Sequence, residues 1–541
     1  MRNVISPAHT PDPFVVFDAE AGTYYGVRSK IEASNDNLDP PGWSCWHAAQ
    51  DQVIITRATR LEDIFTSPDA SAVIIDRSSP MGGSWGGVSV GAFAVTYSNG
   101  APCPSPGFWA PSMKRINGNW YLFVTGHRPD VQGEANFIME CDGADPLDVN
   151  AWHYRGMLNH SLPGLDGEPV VLPTNDPLAA NVTLQENGKT IRGQLYYVYS
   201  HNERTAGNAQ QLHLVRLVWD VDTRFTEYDV DRQTELEFRK SWSVRGEAPI
   251  STPMFDWELQ PCTGCSFGVN EGPTALYGYN STYIMYSASF CATKFYSIGL
   301  LEFQGNAKSE FPFVWAKHPR PIFSGDVFDA TTGKLNKDVV SEQAFGVGHN
   351  SVTVSPDLSE HWIVYHGKTA LEEGPGDREA RVQRFSWSSI NGGPDFGSKH
   401  PSPAGSFIRK PSSAKLYALV CSDTNYTGRT CVGLPPGRYS STDLIEAGLP
   451  FDAIRSIKLS FFESLSVYVY EVGRERKFWV SNKDVAVVPY WVHGARLEWL
   501  EVVHTPPHDP HSSKVWMIVR LGEVCAIVLA FGLFFASMYL A

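Results

Sequence analysis

The sequence predicts an all-β protein: a five-bladed β-propeller followed by a small Greek-key β-sandwich and a C-terminal transmembrane helix. Three observations predict it. Five times a polar residue opens a short apolar run, a tight turn follows, and an aromatic-rich run closes a hairpin. Beyond residue 414 a second series of short alternating runs begins, and the last stretch, Leu521 to Ala541, is almost continuously apolar.

The five openers are Asp12, Ser112, Asn181, Glu271 and His349. The closing runs begin at Tyr24, Trp120, Leu195, Tyr283 and Trp362, all rich in residues that suit a pleated surface. Between them lie turn clusters such as Asn117-Gly118-Asn119 and Asn187-Gly188-Lys189. If these hairpins are equivalent strands of a radial array, their openers converge at one end of a central channel. Taken singly, each opener reads equally well as a polar strand cap; five in one pattern favour a site.

The propeller is expected over residues 1–405, the sandwich over 414–503, a Pro- and His-rich linker over 504–514 and the membrane or anchor-signal segment over 515–541. A composition shift through Arg409-Lys-Pro-Ser-Ser-Ala-Lys415 marks the first boundary. The C-terminal segment reads as a single span or as the signal for a lipid anchor, with Ser512 and Ser513 as attachment sites. The N-terminus, MRNVISPAHTPDPF, lacks the apolar core of a signal peptide, which points to a tail anchor facing the cytosol. Sequons at Asn159, Asn181, Asn280 and Asn425 point instead to the secretory route. A start codon placed too far downstream reconciles the two, and the expected location is membrane-anchored at the cell surface or outside the cell.

A net charge of −14 excludes nucleic acid as the natural partner, because phosphate binding needs a basic surface that 44 Lys and Arg over 541 residues do not supply. Sixteen Trp and 22 Tyr offer flat apolar faces with polar edges suited to sugar rings, although such residues are usually core. Among nine Cys, Cys421 and Cys431 are spaced to close across a hairpin; Cys262 and Cys265 read as a loop disulfide, since no second Cys pair or His pair supports a zinc site.

Hydrolysis of a glycosidic bond with inversion needs an acid for the leaving oxygen and a base for water, about 6.5–9.5 Å apart. Glu271, in Gly268-Val-Asn-Glu-Gly-Pro273 at the mouth of an apolar run, is the candidate general acid, since desolvation keeps a carboxyl protonated. Asp12, held between Pro11 and Pro13, is the candidate general base.

These segments resemble glycoside hydrolase family 43, over roughly residues 5 to 400. Asp12-Pro13 is similar to that family's general-base segment, Phe108-Trp109-Ala110-Pro111 to its second-blade motif, and Val269-Asn270-Glu271-Gly272-Pro273 to its general-acid segment. Gly348-His349-Asn350-Ser351 resembles the fifth-blade segment, whose His lies near the axis beside a metal ion or water. Phe137-Ile-Met-Glu140 and Arg381-Val-Gln-Arg-Phe-Ser-Trp387 resemble segments of arabinofuranosidase-like members. The resemblance implies a five-bladed propeller acting on arabinose- or xylose-containing plant polysaccharide, with Trp109, Ser112, His349 and Arg381 as substrate contacts. It also implies a Ca²⁺ site at the axis, reached by His349 through water, with no cofactor required.

Two departures stand out. The family's third carboxylate, which tunes the acid, aligns best with Asn181, and Ser112 stands where a carboxylate commonly follows Trp-Ala-Pro. Loss of a charge at Asn181 would lower the pKa of Glu271 and slow turnover. The leading expectation is thus an inverting exo-acting α-L-arabinofuranosidase, and its rival is a catalytically impaired glycan-binding propeller displayed at a membrane. The smaller unit resembles a βγ-crystallin domain through Tyr417, Tyr426-Thr-Gly428 and Asp452-Ala-Ile-Arg-Ser456; Phe451 and Arg455 occupy ligand positions there, so calcium binding is expected to be weak or absent.

Overall fold

The computed structural model describes residues 1–504 except 9, 32–49, 77–107, 128–133, 159–163, 203–208, 221–224, 230–233, 239–240, 261, 263–266, 326, 330–331, 337–343, 370, 372–377, 389–391, 398–407, 414–416, 426–429, 460–464, 472–476, 482–483, 489–491 and 493–496. The expected membrane segment therefore lies outside the described residues. Among the described residues no helix is long and apolar enough to cross a membrane.

The chain opens with β1 (Val4–Ala8) and then builds successive antiparallel sheets. The first blade is β2 (Phe14–Asp18), β3 (Thr23–Ile31), β4 (Gln50–Ala58) and β5 (Ala70–Asp76), paired in that order. The second is β6 (Phe108–Ile116), β7 (Asn119–His127), β8 (Glu134–Cys141) and β9 (Trp152–Leu158). The third departs from the simple meander. Its inner strand β10 (Gly164–Leu172) pairs not with β11 (Ala180–Glu186) but with the 14-residue β12 (Lys189–Asn202), followed by β13 (Gln210–Asp220) and β16 (Ser241–Ser251). The short hairpin of β14 (Phe225–Asp229) and β15 (Thr234–Phe238) interrupts the last two. The fourth blade is β17 (Asn270–Tyr277), β18 (Thr282–Ala288), β19 (Ser297–Phe303) and β20 (Trp315–Lys317).

The fifth blade consists of β21 (Phe345–Val354), β22 (His361–Lys368) and β23 (Glu379–Trp387), and its outer strand is β1, returned from the N-terminus; β24 (Pro394–Asp395) adds to β23. The ring closes: β2 lies against β6, β6 against β10, β10 against β17, β17 against β21, and β21 against β2.

Period-two alternation glues the blades together, because successive side chains of a strand point to opposite faces. In β2, Phe14 and Val16 enter a core with Trp120, Leu122 and Val124 of the second blade, while Val15 and Phe17 enter a core with Trp362 and Val364 of the fifth. In β18, Tyr283 and Met285 pack with Ile363 and Tyr365, while Ile284 and Tyr286 pack toward the third blade. The aromatic-rich closing runs are thus the second strands, each facing two neighbours. Asn117-Gly118 and Asn187-Gly188 both place two consecutive residues at positive φ, as two-residue hairpin turns require.

After the propeller come β25 (Ala418–Cys421), β26 (Cys431–Leu434), β27 (Gly437–Tyr439), α1 (Ser441–Glu446), β28 (Ser456–Leu459), β29 (Leu465–Glu471), β30 (Lys477–Ser481) and β31 (Leu497–His504). They form two sheets, β26-β25-β28 and β27-β31-β29-β30, around one core that includes Val420, Val432, Ile457, Val467, Val469, Leu500 and Val502. Cys421 and Cys431 stand opposite each other on β25 and β26 and form a disulfide. Cys262 is also disulfide-bonded, and Cys265 lies outside the described residues. The sandwich docks on the fifth blade through Gly433, whose N–H donates to Leu358 O at 2.9 Å. There is no room for a side chain: a Cβ on Gly433 would lie 1.6 Å from Asp357 O. Phe451 is buried in the sandwich core, and Arg455 Nη1 donates to Asp452 O.

Candidate active site

The inner strands bring polar residues to one pocket at the axis, lined by Asp12, Ser112, Asp166, Glu168, Gly272 and His349 among others. Asp12 lies just before β2 and Asp166 near the start of β10, whereas Ser112, Glu168 and His349 lie midway along β6, β10 and β21. Backbone strain marks the spot: Asp12, Ala110 and His349 are non-glycine residues at positive φ. Gly272, also at positive φ, faces the His349 ring, where a Cβ would lie 3.2 Å from Nδ1.

Asp12 is buried and surrounded by positive or polarisable groups of the fifth blade. Its Oδ1 lies 3.3 Å from His349 Nδ1, 3.5 Å from His366 Nδ1 and 3.6 Å from Arg378 Nη1. Its backbone N–H donates to His366 Nδ1 at 3.3 Å. Burial alone would push the carboxyl up, but His349, the adjacent His366 ring and the Arg378 guanidinium together hold it well below the usual carboxylate range. Asp12 is therefore ionised throughout the physiological range. Burial drives His366 down to about 3, so its ring is neutral. That ring stacks on Tyr296 at 5.4 Å.

Glu271, at the start of β17, has the opposite environment. Burial, then the charge of Asp166, push its carboxyl up to about 8. Asp166 is buried on β10, accepts hydrogen bonds from Ser200 Oγ and from the backbone N–H of Gly272, and is itself raised, chiefly by burial. Gln210 Nε2 donates to Glu271 Oε2 at 2.8 Å. Below them Lys114, fully buried, bridges Glu168 at 2.7 Å and Glu186 at 2.6 Å.

Asn181 does not belong to this group. It sits exposed on β11, opposite Gln194 in a hairpin that branches from the third blade, and the carboxylate beside Glu271 is Asp166. The charge thought to be missing is present, and the ground for a catalytically impaired propeller goes with it. Arg381 is likewise displaced: it is fully buried on β23, with Nη2 3.2 Å from Glu379, and the arginine beside Asp12 is Arg378. Ser112 lines the pocket and donates to Gly167 O at 3.2 Å. Trp109 is 5% exposed, and the pocket wall in its blade is formed by Ala110, Pro111 and Ser112.

His349 lies near the axis with Nδ1 turned to Asp12. Among the described residues no group of three or more His, Cys, Asp or Glu side chains is arranged to hold a metal ion. The residues present do not fit a Ca²⁺ held by protein ligands, and no chemistry is routed through one.

Sequence reasoning missed Asp166, His366, Arg378 and Gln210. Asp166-Gly-Glu-Pro-Val-Val-Leu172 carried a usable signal, a carboxylate opening an apolar run, in the same form as Glu271-Gly-Pro.

Residues 91–390 match the family model described as glycosyl hydrolases family 43. An extracellular exo-α-(1→5)-L-arabinofuranosidase of Streptomyces chartreusis is 26% identical over 310 residues, 57% of this chain and 76% of that enzyme. Another of that description from Streptomyces avermitilis is 23% identical over 64% of this chain and 56% of its own length. An α-L-arabinofuranosidase 43 of Humicola insolens is 28% identical over 53% of this chain and 49% of its own length. The chain thus spans about half to three quarters of these relatives. The crystal structure of an α-L-arabinofuranosidase from Lactobacillus brevis superposes with a TM-score of 0.50 at 20% identity, covering 75% of this chain and 98% of that one, a likeness of fold alone.

Proposed function

This chain belongs to glycosyl hydrolases family 43, and from that premise we propose that it is an inverting, exo-acting α-L-arabinofuranosidase that removes terminal sugars from arabinose-containing plant polysaccharide. One observation carries the mechanism: two carboxyl groups near enough for the charge of Asp12 to act on Glu271 have their acidities driven apart, Asp12 downward and Glu271 upward to about 8. At neutral pH the first accepts a proton and the second supplies one.

In this reading Asp12 takes a proton from water as that water attacks the anomeric carbon, while His349, His366 and Arg378 keep the base ionised and aimed. Glu271 gives its proton to the departing glycosidic oxygen. The charge of Asp166 keeps Glu271 protonated, and its bond to Gly272 holds the start of β17 in place. Ser112 and His349 are proposed substrate contacts, and Trp109 a flat apolar support behind Ala110. The Streptomyces relatives are described as extracellular, which supports action outside the cell.

The test uses the full chain with 4-nitrophenyl α-L-arabinofuranoside, 4-nitrophenyl β-D-xyloside and arabinan. Release of arabinose is expected, with the opposite anomer formed first by NMR. Glu271→Gln and Asp12→Asn should each lower kcat about 10²–10⁴-fold. Absence of arabinose release by the wild type, or first formation of the retained anomer, overturns the reading.

A further inference from the structure

Gln210 heads β13 and is held from two directions. Its backbone N–H donates to Gly268 O at 3.0 Å, three residues before Glu271, and its side chain is buried in the same seam between the third and fourth blades. Nε2 spends one hydrogen on Glu271 Oε2 at 2.8 Å and lies 3.1 Å from Ser200 Oγ. Ser200, fully buried on β12, donates to Asp166 Oδ1. Asp166 Oδ2 accepts from the N–H of Gly272.

Donor counting fixes the direction of this chain. A serine hydroxyl has one hydrogen, and here it goes to Asp166, so Ser200 Oγ accepts from Gln210. The side of Gln210 facing Ser200 and Glu271 must then be its NH₂, because the amide oxygen cannot donate to Ser200. The same NH₂ meets Glu271 Oε2. A carboxylic O–H oxygen accepts more weakly than its C=O partner, and its hydrogen cannot point at an NH₂, so this bond disfavours a proton on Oε2.

We propose that Gln210 is a positioning residue for the acid: through Ser200 and Asp166 it reserves Oε2 as an acceptor and places the transferable proton of Glu271 on Oε1. This rests on the assignment of Glu271 as general acid. Gln210 touches neither substrate nor water in this role; it selects which oxygen is presented and holds the carboxyl plane. Because the bond also favours the ionised carboxyl, removing it should move the acid further up.

The experiment compares aryl α-L-arabinofuranosides whose leaving phenols differ in acidity, using wild type, Gln210→Met, Gln210→Glu, Ser200→Ala and Glu271→Gln, with thermal melts of each. Gln210→Met should lose about 10–100-fold in kcat on the poor leaving group and under about 5-fold on the most acidic phenol, with little change in KM. Its basic pH limit should move upward. Ser200→Ala should change both in the same direction by less, and Gln210→Glu should not restore activity. A loss in Gln210→Met equal for all phenols, or no loss, overturns the proposal while the leaving-group dependence of Glu271→Gln persists. If Glu271→Gln itself shows no such dependence, the acid assignment fails and the role of Gln210 with it. Should Gln210→Met not fold, the Ser200→Ala arm decides alone: an unchanged pH limit and an unchanged leaving-group dependence overturn it.

Discussion

The backbone amide of Gly272 donates to the carboxylate of Asp166, so the residue next to the proposed acid in the chain is bonded to the charge that raises that acid. One contact thus fixes geometry and acidity together. Moving Asp166 would shift both.

Asp166→Asn removes the charge and keeps one acceptor oxygen, which can still take the Gly272 N–H while its NH₂ meets Ser200 Oγ. The negative charge of Asp166 raises Glu271, so its loss lowers the pKa of the acid below about 8. The acid works protonated, and the basic limb of kcat/KM should therefore move to lower pH, with about 10²-fold lower activity at pH 7. A pH–rate profile checks it.

Asn181→Asp should leave kcat and KM within about twofold of wild type, because its side chain is exposed on a branching hairpin and remote substitutions rarely couple. Steady-state kinetics on the same aryl glycoside give the answer. A gain of tenfold or more would contradict the placement.

Stability should respond to Glu271 in the direction opposite to activity. Its folded pKa, about 8, lies above the ordinary 4.5, so the folded state holds this proton more tightly than the unfolded state does. Stability is present at low pH and is lost as pH rises from about 4.5 through about 8. Glu271→Gln removes that loss. Its Tm advantage over wild type should be larger at pH 8.5 than at pH 5 by about 1–3 °C, read by calorimetry.

Lys114 neutralises one of two carboxylates that it bridges in the interior. Lys114→Met leaves both uncompensated and should cost about 3–5 kcal/mol in urea unfolding, whereas adding Glu168→Gln and Glu186→Gln to that variant should recover much of it.

Cys291 is a free thiol whose ionisation is opposed first by burial and then by Glu271. Alkylation by iodoacetamide at pH 8.5 should be at least about tenfold slower in the folded protein than in urea, by mass spectrometry.

Much of this was legible from strand chemistry. Asp12, Ser112, Glu271 and His349 each lie on or just before an innermost strand, and the runs at Tyr24, Trp120, Leu195, Tyr283 and Trp362 became the second strands. The third blade misled for a physical reason. Its inner strand β10 is separated from its partner β12 by β11, and the Asn187-Gly188 turn between β11 and β12 reproduces the local pattern of a blade's first hairpin. A turn signal reports hairpins, not which hairpin faces the axis. Arg378 and His366 were hidden for another reason: they act through pairing across the blade that sets them beside Asp12, and pairing register is a long-range property.

β1 belongs to the fifth blade while β2 leads the first, and Asp12 lies on the short span between them. All three groups that keep it ionised, His349, His366 and Arg378, sit on the side to which β1 is clasped. The clasp and the proposed base are thus one piece of chain. Opening that seam would draw Asp12 away from the groups beside it, so under the proposed mechanism catalytic power doubles as a gauge of whether the circle is shut.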